Sequence, residues 1–435
     1  MNPICSEAPV LHELAAFIQS KNHRIDSDTL HQAKRLAADT IGVAFGGIET
    51  SAFKSGLQSK DPLFGEGPHS IWGTGLKSSL LGACFYNALS IRSTDFDEGH
   101  RKAVGHPASS IIPVAFSLGW ANHCSYVKIL RAIIIGYELA TRFSHSREES
   151  NINTYSSGRW AAIGTATCVS YLLELSVEQT MHALSNAWVL SPTMIGGATD
   201  VSTGSMSKEG VAWATQSGLQ SALLAKNGFI GPYLFVDAHD DFHTQKLLND
   251  LGNGWLINSN YFKPYACCRW LHSAARAGEI LNAENNFNLN DITSIEIDIF
   301  RRAIKLVSSD FPENPVQAQF HVPFVVANML LYNHVLPEHF SPENIKNETI
   351  KKLISKTTLI EKETYNDQFP EKLPSAVTIK TINHSSKKEV LTAPWGAACQ
   401  PTDDELLDKF VMQAGVSRKF IWEAIMSGNG VLTID

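Results

Sequence analysis

The stretch "STDFDEGHRKAVGHPASS", Ser93 to Ser110, puts Asp95, Asp97, Glu98, His100, Arg101, Lys102 and His106 within a dozen positions, directly before the apolar run "IIPVAFSLGWA". Such a cluster has three uses: a metal site, an acid/base site or a solvated loop. As a metal site it offers Asp95, Asp97, His100 and His106. It lacks the spaced oxygen ligands and distal Glu of a calcium loop, and the chain has no HExxH and no paired CxxC. We therefore expect no metal. His106-Pro107 directly precedes Ser109, Ser110 and a buried-looking helix, and helix starts attract anions through their free N–H groups.

Three more stretches carry chemistry-bearing residues. "TGSMSKEG" sets Lys208 against a helix that should be packed all round, where an ammonium with a lowered pKa could carry a proton or anchor a carboxylate. "FKPYACCRWLH" brings Lys263, Cys267, Cys268, Arg269 and His272 to a change of periodicity, where ligand clefts tend to form. "NTYSSGRWAAIG" holds Tyr155 and Ser157 before a glycine-containing helix and signals nothing alone. The adjacent Cys267 and Cys268 cannot mimic the spaced ligands of an iron–sulfur cluster. With no GxGxxG after a strand and no Walker loop, a nucleotide cofactor is unsupported as well.

Positioning these residues falls to a chain of 435 residues, long enough for about two domains. The composition, 44% hydrophobic and 18% charged, is that of a globular protein. Its 36 Lys and Arg against 43 Asp and Glu leave a formal charge of −7, which disfavours nucleic acid or an anionic membrane as partner. An anionic substrate would then need locally placed cations. The opening residues lack a basic segment followed by a continuous apolar one, and no apolar run reaches the ~20 residues of a membrane span. Seven cysteines without framework spacing suit a reducing compartment, so a cytoplasmic location without disulfides is expected.

From about residue 8 to 258 the apolar spacing is helical almost throughout. Leu11, Leu14, Ala15 and Ile18 form one stripe; Leu30, Ala33, Ala37, Ile41 and Ala44 form another, ending at Gly46-Gly47. Ser176 with Gln179, and later Thr402 with Glu405, read as capping boxes. The helix of "VAWATQSGLQSALLAKNG" is lined with small residues, so its neighbours can approach closely. Past "YFKPYACCRW" the period changes: "SIEIDIF" alternates Ile295, Ile297 and Ile299 with polar residues, "KTTLI" follows, and "AVTIKTINHSSKKEVLTA" reads as strand, turn, strand. The expectation is a mainly α protein: a large all-helical domain, 1–258 completed by 396–435, with an inserted smaller α+β lid domain, 259–395.

In their order, "DFDEGHRKAVGHPASSIIPVAF", "SSGRWAAIGTA", "GSMSKEGVAWATQSGLQSALLAKNGFIGP", "YFKPYACCRWLHSA" and "NPVQAQFHVPFVVANML" resemble the MmgE/PrpD family over essentially the whole chain. That family includes 2-methylcitrate dehydratase, cis-aconitate decarboxylase and iminodisuccinate epimerase. The resemblance implies a helical domain with an α+β lid, a homodimer, a site in the cleft between the domains and no metal or organic cofactor. It places Asp95 and His106 in the cleft, Lys208 as a substrate-contacting proton carrier and Lys263, Arg269 and His272 on the lid side. The candidate catalytic set is Asp95, His106, Tyr155, Lys208 and His272; the candidate substrate-binding set is Lys263, Cys268 and Arg269. Decarboxylase-like members read D-F-D-D-T where this chain has Glu98-Gly99, and place a histidine where it has Tyr155. The expected activity is a cofactor-independent lyase on a small di- or tricarboxylate, by decarboxylation or loss of water. The alternatives are an epimerase of an iminodisuccinate-like acid, with Tyr155 and Lys208 as opposed acid/base groups, and a catalytically lapsed carboxylate binder.

Overall fold

The computed structural model describes residues 6–147, 157–192, 201, 203–238, 241–307, 309–428 and 434. The first apolar stripe becomes α1 (Pro9–Gln19), which buries Leu11, Leu14, Ala15 and Ile18. The second becomes α2 (Ser27–Gly47), whose first turn is capped by the Asp26 side chain accepting from the Thr29 N–H. A Cβ on Gly47 would lie 1.9 Å from the Ser90 carbonyl oxygen, so only glycine lets α2 reach the neighbouring helix α3 (Leu80–Ser93) at this point.

The first half is not helical throughout, as its spacing suggested. "HSIWGTGLKS" forms an antiparallel hairpin, β1 (His69–Ile71) and β2 (Leu76–Ser78), with Ile71 opposite Leu76. Gly73 and Gly75, at φ 75° and 69°, supply the left-handed turn between them, a local signal that the helical period of the flanking segments obscures.

After α3 come α4 (Pro107–Ala121), α5 (Tyr126–His145), α6 (Gly158–Leu172), α7 (Val177–Val189) and α8 (Val211–Lys226), of which α4 and α8 pack on α3. At the centre α6 is buried on nearly every face, packed by α4, α5, α7 and α8. Small residues make this possible: a Cβ on Gly218 of α8 would meet the Ala162 carbonyl of α6 at 2.4 Å, and one on Gly164 would meet the Ala140 methyl of α5 at 2.7 Å. The Ser176–Gln179 capping box opens α7 as its sequence indicates.

Further along, α9 (His272–Asn285) leads into a four-stranded sheet of β3 (Ile292–Ile299), β4 (Thr357–Glu361), β5 (Ser375–Thr381) and β6 (Ser385–Val390), in the order β4-β3-β5-β6. β4 runs parallel to β3 with Leu359 beside Ile297, while β5 runs antiparallel with Val377 beside Ile297. Ile295, Ile297 and Ile299 are fully buried. The sheet carries α9 on β5 and β6, and α9 packs in turn on α10 (Val322–Tyr332), which touches α11 (Glu348–Ser355). The chain then returns: α12 (Asp403–Ala414), opened by the Thr402–Glu405 capping box, and α13 (Lys419–Ser427) both pack on α2. The protein is mainly α, and one apolar core runs from α1 through the sheet to α13.

Candidate active site

Every residue from Ile91 to His100 is buried, so the charged stretch is no solvated loop; only its tip, at Arg101, Lys102 and Val104, is exposed. It leaves the last turn of α3 at Arg92 and re-enters helix at Pro107, with His106 as the residue before α4. Asp95 sits at φ 52°, a left-handed conformation disfavoured for a residue with a side chain. Arg92, 1% exposed, holds the stretch together. Its guanidinium donates to Asp97 Oδ1, to Asp95 Oδ1 at 3.2 Å and to Glu209 Oε1 at 3.3 Å.

Lysines close the turn from two distant segments. Lys263 Nζ donates to the Asp95 carbonyl at 2.9 Å and lies 3.4 Å from Asp95 Oδ1. Lys409 of α12 donates to the next carbonyl, that of Phe96, at 2.9 Å, and pairs with Asp39 of α2 at 2.7 Å. Burial alone would raise the Asp95 carboxyl. Lys263, Lys208 and Arg92 together overcome it and hold Asp95 well below the usual carboxylate range. Burial likewise opposes ionisation of Asp97, and Arg92 and His106 reverse the direction.

His106 is fixed by acceptors. Its Nδ1 lies 2.5 Å from the Glu98 carbonyl and 3.5 Å from Asp97 Oδ2, and its Nε2 lies 3.7 Å from Glu209 Oε1. A carbonyl only accepts, so Nδ1 carries the hydrogen and the neutral ring bears its lone pair on Nε2. Burial, helped by Arg92, lowers the pKa of His106 against the pull of Asp97 and Glu209. The anion site at the start of α4 is filled from within: Glu98 Oε1 accepts the Ala108 N–H at 2.8 Å, and Tyr137 O–H meets Oε2 at 2.9 Å. Burial outweighs both bonds and pushes Glu98 up to about 8.

Lys208, Glu209 and Gly210 are successive left-handed residues, φ 44°, 61° and 70°, immediately before α8. Two side chains forced into that conformation cost about 1–3 kcal/mol each, which the surrounding contacts must offset. Lys208 is 3% exposed; its ammonium donates to Gln319 Oε1, and Gln319 Nε2 donates to the Ser93 carbonyl at 3.1 Å. Burial lowers Lys208 to about 8, with Asp95 opposing and Arg92 and Lys263 assisting. Glu209 is held by Arg92 and by Ser157 Oγ, which donates to its Oε2 at 2.6 Å.

The remaining candidates form a second group. Arg269 donates to the carbonyls of Pro394 at 2.6 Å, Ala393 at 3.2 Å and Phe262 at 3.3 Å, and to His272 Nδ1 at 3.2 Å, with its guanidinium 4.6 Å from the Tyr261 ring centre. His272 is fully buried, and Nε2 donates to the Cys267 carbonyl at 3.2 Å. Burial, then Arg269 and Lys263, keep its ring neutral by lowering its pKa well below the usual value. Burial and Asp95 push the Cys268 thiol up to about 12. Tyr155 lies outside the described residues. The structure thus joins Asp95, His106, Lys208 and Lys263, and turns Arg269 and His272 toward main-chain carbonyls.

Gly99, where the decarboxylase pattern has Thr, pairs with Tyr261 in a backbone bridge, and a Cβ there would lie 2.2 Å from the Tyr261 hydroxyl. Sequence reasoning passed over Arg92, Glu209 and Gln319 and weighed Asp97 only as a metal ligand. An arginine ending an apolar helix and an acid directly after Lys208 were the available signals. Asp95, Asp97 and His106 do offer ligand atoms within 4.8 Å of one another. Arg92 already occupies both carboxylates and Lys263 one of them, which opposes a further cation.

No helix among the described residues is long and apolar enough to cross a membrane. Residues 12–248 match the MmgE/PrpD N-terminal domain and residues 265–418 the MmgE/PrpD C-terminal domain. A cis-aconitate decarboxylase-like protein of Aspergillus oryzae is 24% identical, covering 93% of this chain and 90% of its own. A cis-aconitate decarboxylase of Aspergillus terreus is 23% identical over 90% of this chain and 86% of its own, and that of Mus musculus 24% identical over 71% and 67%. With both domains matched in order along most of its length, the chain belongs to the MmgE/PrpD family.

Proposed function

We propose that the protein is a cofactor-independent lyase that removes CO2 or water from a small di- or tricarboxylate. The observation that carries this reading is the buried meeting of acids and bases: Arg92, Lys208 and Lys263 around Asp95 and Asp97, with the lone pair of His106 beside them. The relatives named cis-aconitate decarboxylase support the substrate class.

Breaking a bond next to a carboxylate builds negative charge on an already anionic molecule, and fixed cations in a dry site stabilise that charge without reorganising. In a dehydration, His106 Nε2 takes the proton on the carbon next to the carboxylate. The electron pair forms the double bond, and the hydroxyl leaves with a proton from Lys208 as water. The imidazolium so formed lies between Asp97 and Glu209. In a decarboxylation, CO2 leaves with its bonding pair retained on carbon, and Lys208 protonates that carbon. A pKa near 8 suits Lys208 to this donor role at neutral pH.

The same reading keeps a helical body, 1–258 with 396–435, apart from an α+β segment, 259–395, with the site at their seam. Lys263 and Gln319 of the segment bond to Asp95, Lys208 and Ser93 of the body, which supports placing the site where the two meet. Lys208 would serve an epimerase equally well, with Tyr155 as the opposed group; Tyr155→Phe should then abolish solvent exchange while binding persists. Proton NMR in deuterated water with citrate-, aconitate- and aminosuccinate-type acids separates these outcomes. Product with loss of mass is expected, exchange without it indicates epimerisation, and neither from the folded protein overturns the lyase reading.

A further inference from the structure

The turn that carries Asp95 and Asp97 is held at its peptides by residues far away in the chain. The Asp95 carbonyl accepts from Lys263 at 2.9 Å, and the next one, that of Phe96, accepts from Lys409 at 2.9 Å. The Glu98–Gly99 peptide is gripped on both sides: its N–H donates to the Tyr261 carbonyl at 3.0 Å, and its carbonyl accepts from His106 Nδ1 at 2.5 Å. A trans peptide points these two groups in opposite directions, so the tilt of this short stretch sets where the imidazole stands. Asp95, at φ 52°, adds a conformation that its surroundings must sustain.

Stability gives little reason for a lysine at position 409. Its side chain is 1% exposed, as is that of Asp39, with which it pairs at 2.7 Å, and its ammonium lies 4.1 Å from the centre of the Phe96 ring. A buried ion pair usually stabilises no better than apolar residues of the same volume. The two helices involved, α2 and α12, already pack closely: a Cβ on Gly42 would meet the Phe410 ring at 2.7 Å. What an apolar residue could not supply is a donor to the Phe96 carbonyl.

We propose that Lys409 is a positioning residue of the active site: by fixing the Phe96 carbonyl it holds the turn in which the Glu98 carbonyl anchors His106 Nδ1, and so keeps Nε2 aimed as the base. The helix that bears it, α12, thereby belongs to the site although it follows the whole sheet in the chain. The proposal rests on the reading of His106 as the base above.

Imidazole NMR of protein carrying isotope-labelled histidine tests it without substrate. The wild-type protein should show a slowly exchanging Nδ1 proton, shifted downfield by its bond to the Glu98 carbonyl and identified by its loss in His106→Gln. Lys409→Met alone would strand the Asp39 charge, so the decisive variant joins it to Asp39→Leu, which removes the pair as a whole; Arg35 keeps Asp403 as its partner. This double variant should unfold near the wild-type temperature, yet its Nδ1 proton should move or exchange away. On whichever citrate-, aconitate- or aminosuccinate-type acid the wild type turns over, its kcat should fall about tenfold or more, with KM within about threefold. An unmoved proton or a wild-type kcat in the stable double variant overturns the proposal, as does absence of the anchored proton from the folded wild type. Should that variant not fold, Asp39→Asn with Lys409→Gln replaces it, a neutral pair of similar shape whose glutamine is too short to reach the carbonyl, and an unmoved proton there overturns the proposal. If the wild type turns over none of the acids, the lyase reading falls, while the imidazole signal still decides the role of Lys409.

Discussion

The cluster around Arg92 and Asp95 and the one around Arg269 and His272 both gather basic side chains in one part of the molecule, and they satisfy them differently. Around Arg92 and Asp95 charge meets charge: three carboxylates gather on one guanidinium, and Lys263 adds to Asp95. Around Arg269 charge meets neutral groups, three main-chain carbonyls and the imidazole of His272. Shifts in pKa follow: burial with competing charges leaves Lys208 near 8, within reach of neutral pH, whereas His272 is held neutral far from it. A basic residue among titrating partners can exchange protons; one committed to carbonyls fixes the backbone.

Lys208→Ala tests the contrast most severely. Turnover should fall about a hundredfold or more, with the unfolding temperature little changed, because stabilisation specific to the transition state is lost. Near-normal kcat in the variant would erase the distinction between the two regions.

The pH profile comes next. If protonated Lys208 is the donor, kcat falls as pH rises through about 8. Glu98 titrates in the same range, so Glu98→Gln should leave this limb in place. A limb that disappears with Glu98 reassigns it. On stability the two groups act in opposite directions. Between its ordinary 4.5 and about 8, native Glu98 keeps a proton that the unfolded chain releases, so stability falls with rising pH. Between about 8 and the ordinary 10.5, the unfolded chain holds the lysine proton that native Lys208 has lost, so stability rises. Denaturation midpoints measured across these windows check the signs.

Arg269→Met should show the reverse pattern to Lys208→Ala. Loss of its carbonyl bonds costs about 2–3 kcal/mol of stability, read by chemical denaturation, while KM moves about threefold or less. A KM raised far beyond that at normal stability would make Arg269 the carboxylate clamp that its sequence context suggests. Smallest of all, Cys268→Ser should alter kcat by about twofold or less, since a thiol near 12 stays protonated at neutral pH.

Periodicity, caps and turn residues are local properties, and the elements they dictate could be read directly. Leu11, Leu14, Ala15 and Ile18 face the core of α1, Ile295, Ile297 and Ile299 that of β3, and both capping boxes form. The β1–β2 hairpin escaped because three-residue strands carry too little pattern against helical surroundings. Within the site, Asp95, His106, Lys208 and Lys263 were legible because charged residues beside apolar runs are costly to bury without partners. Which partners they found was not legible. Arg92 reaches Glu209 across 117 positions, Lys208 reaches Gln319 across 111, and Lys409 reaches Phe96 across 313. Sequence by itself thus determined the residue types and the helices and strands that bear them. Only the tertiary structure decided which charges neutralise one another, because Coulomb and hydrogen-bond energies depend on distances and burial that arise when remote segments pack.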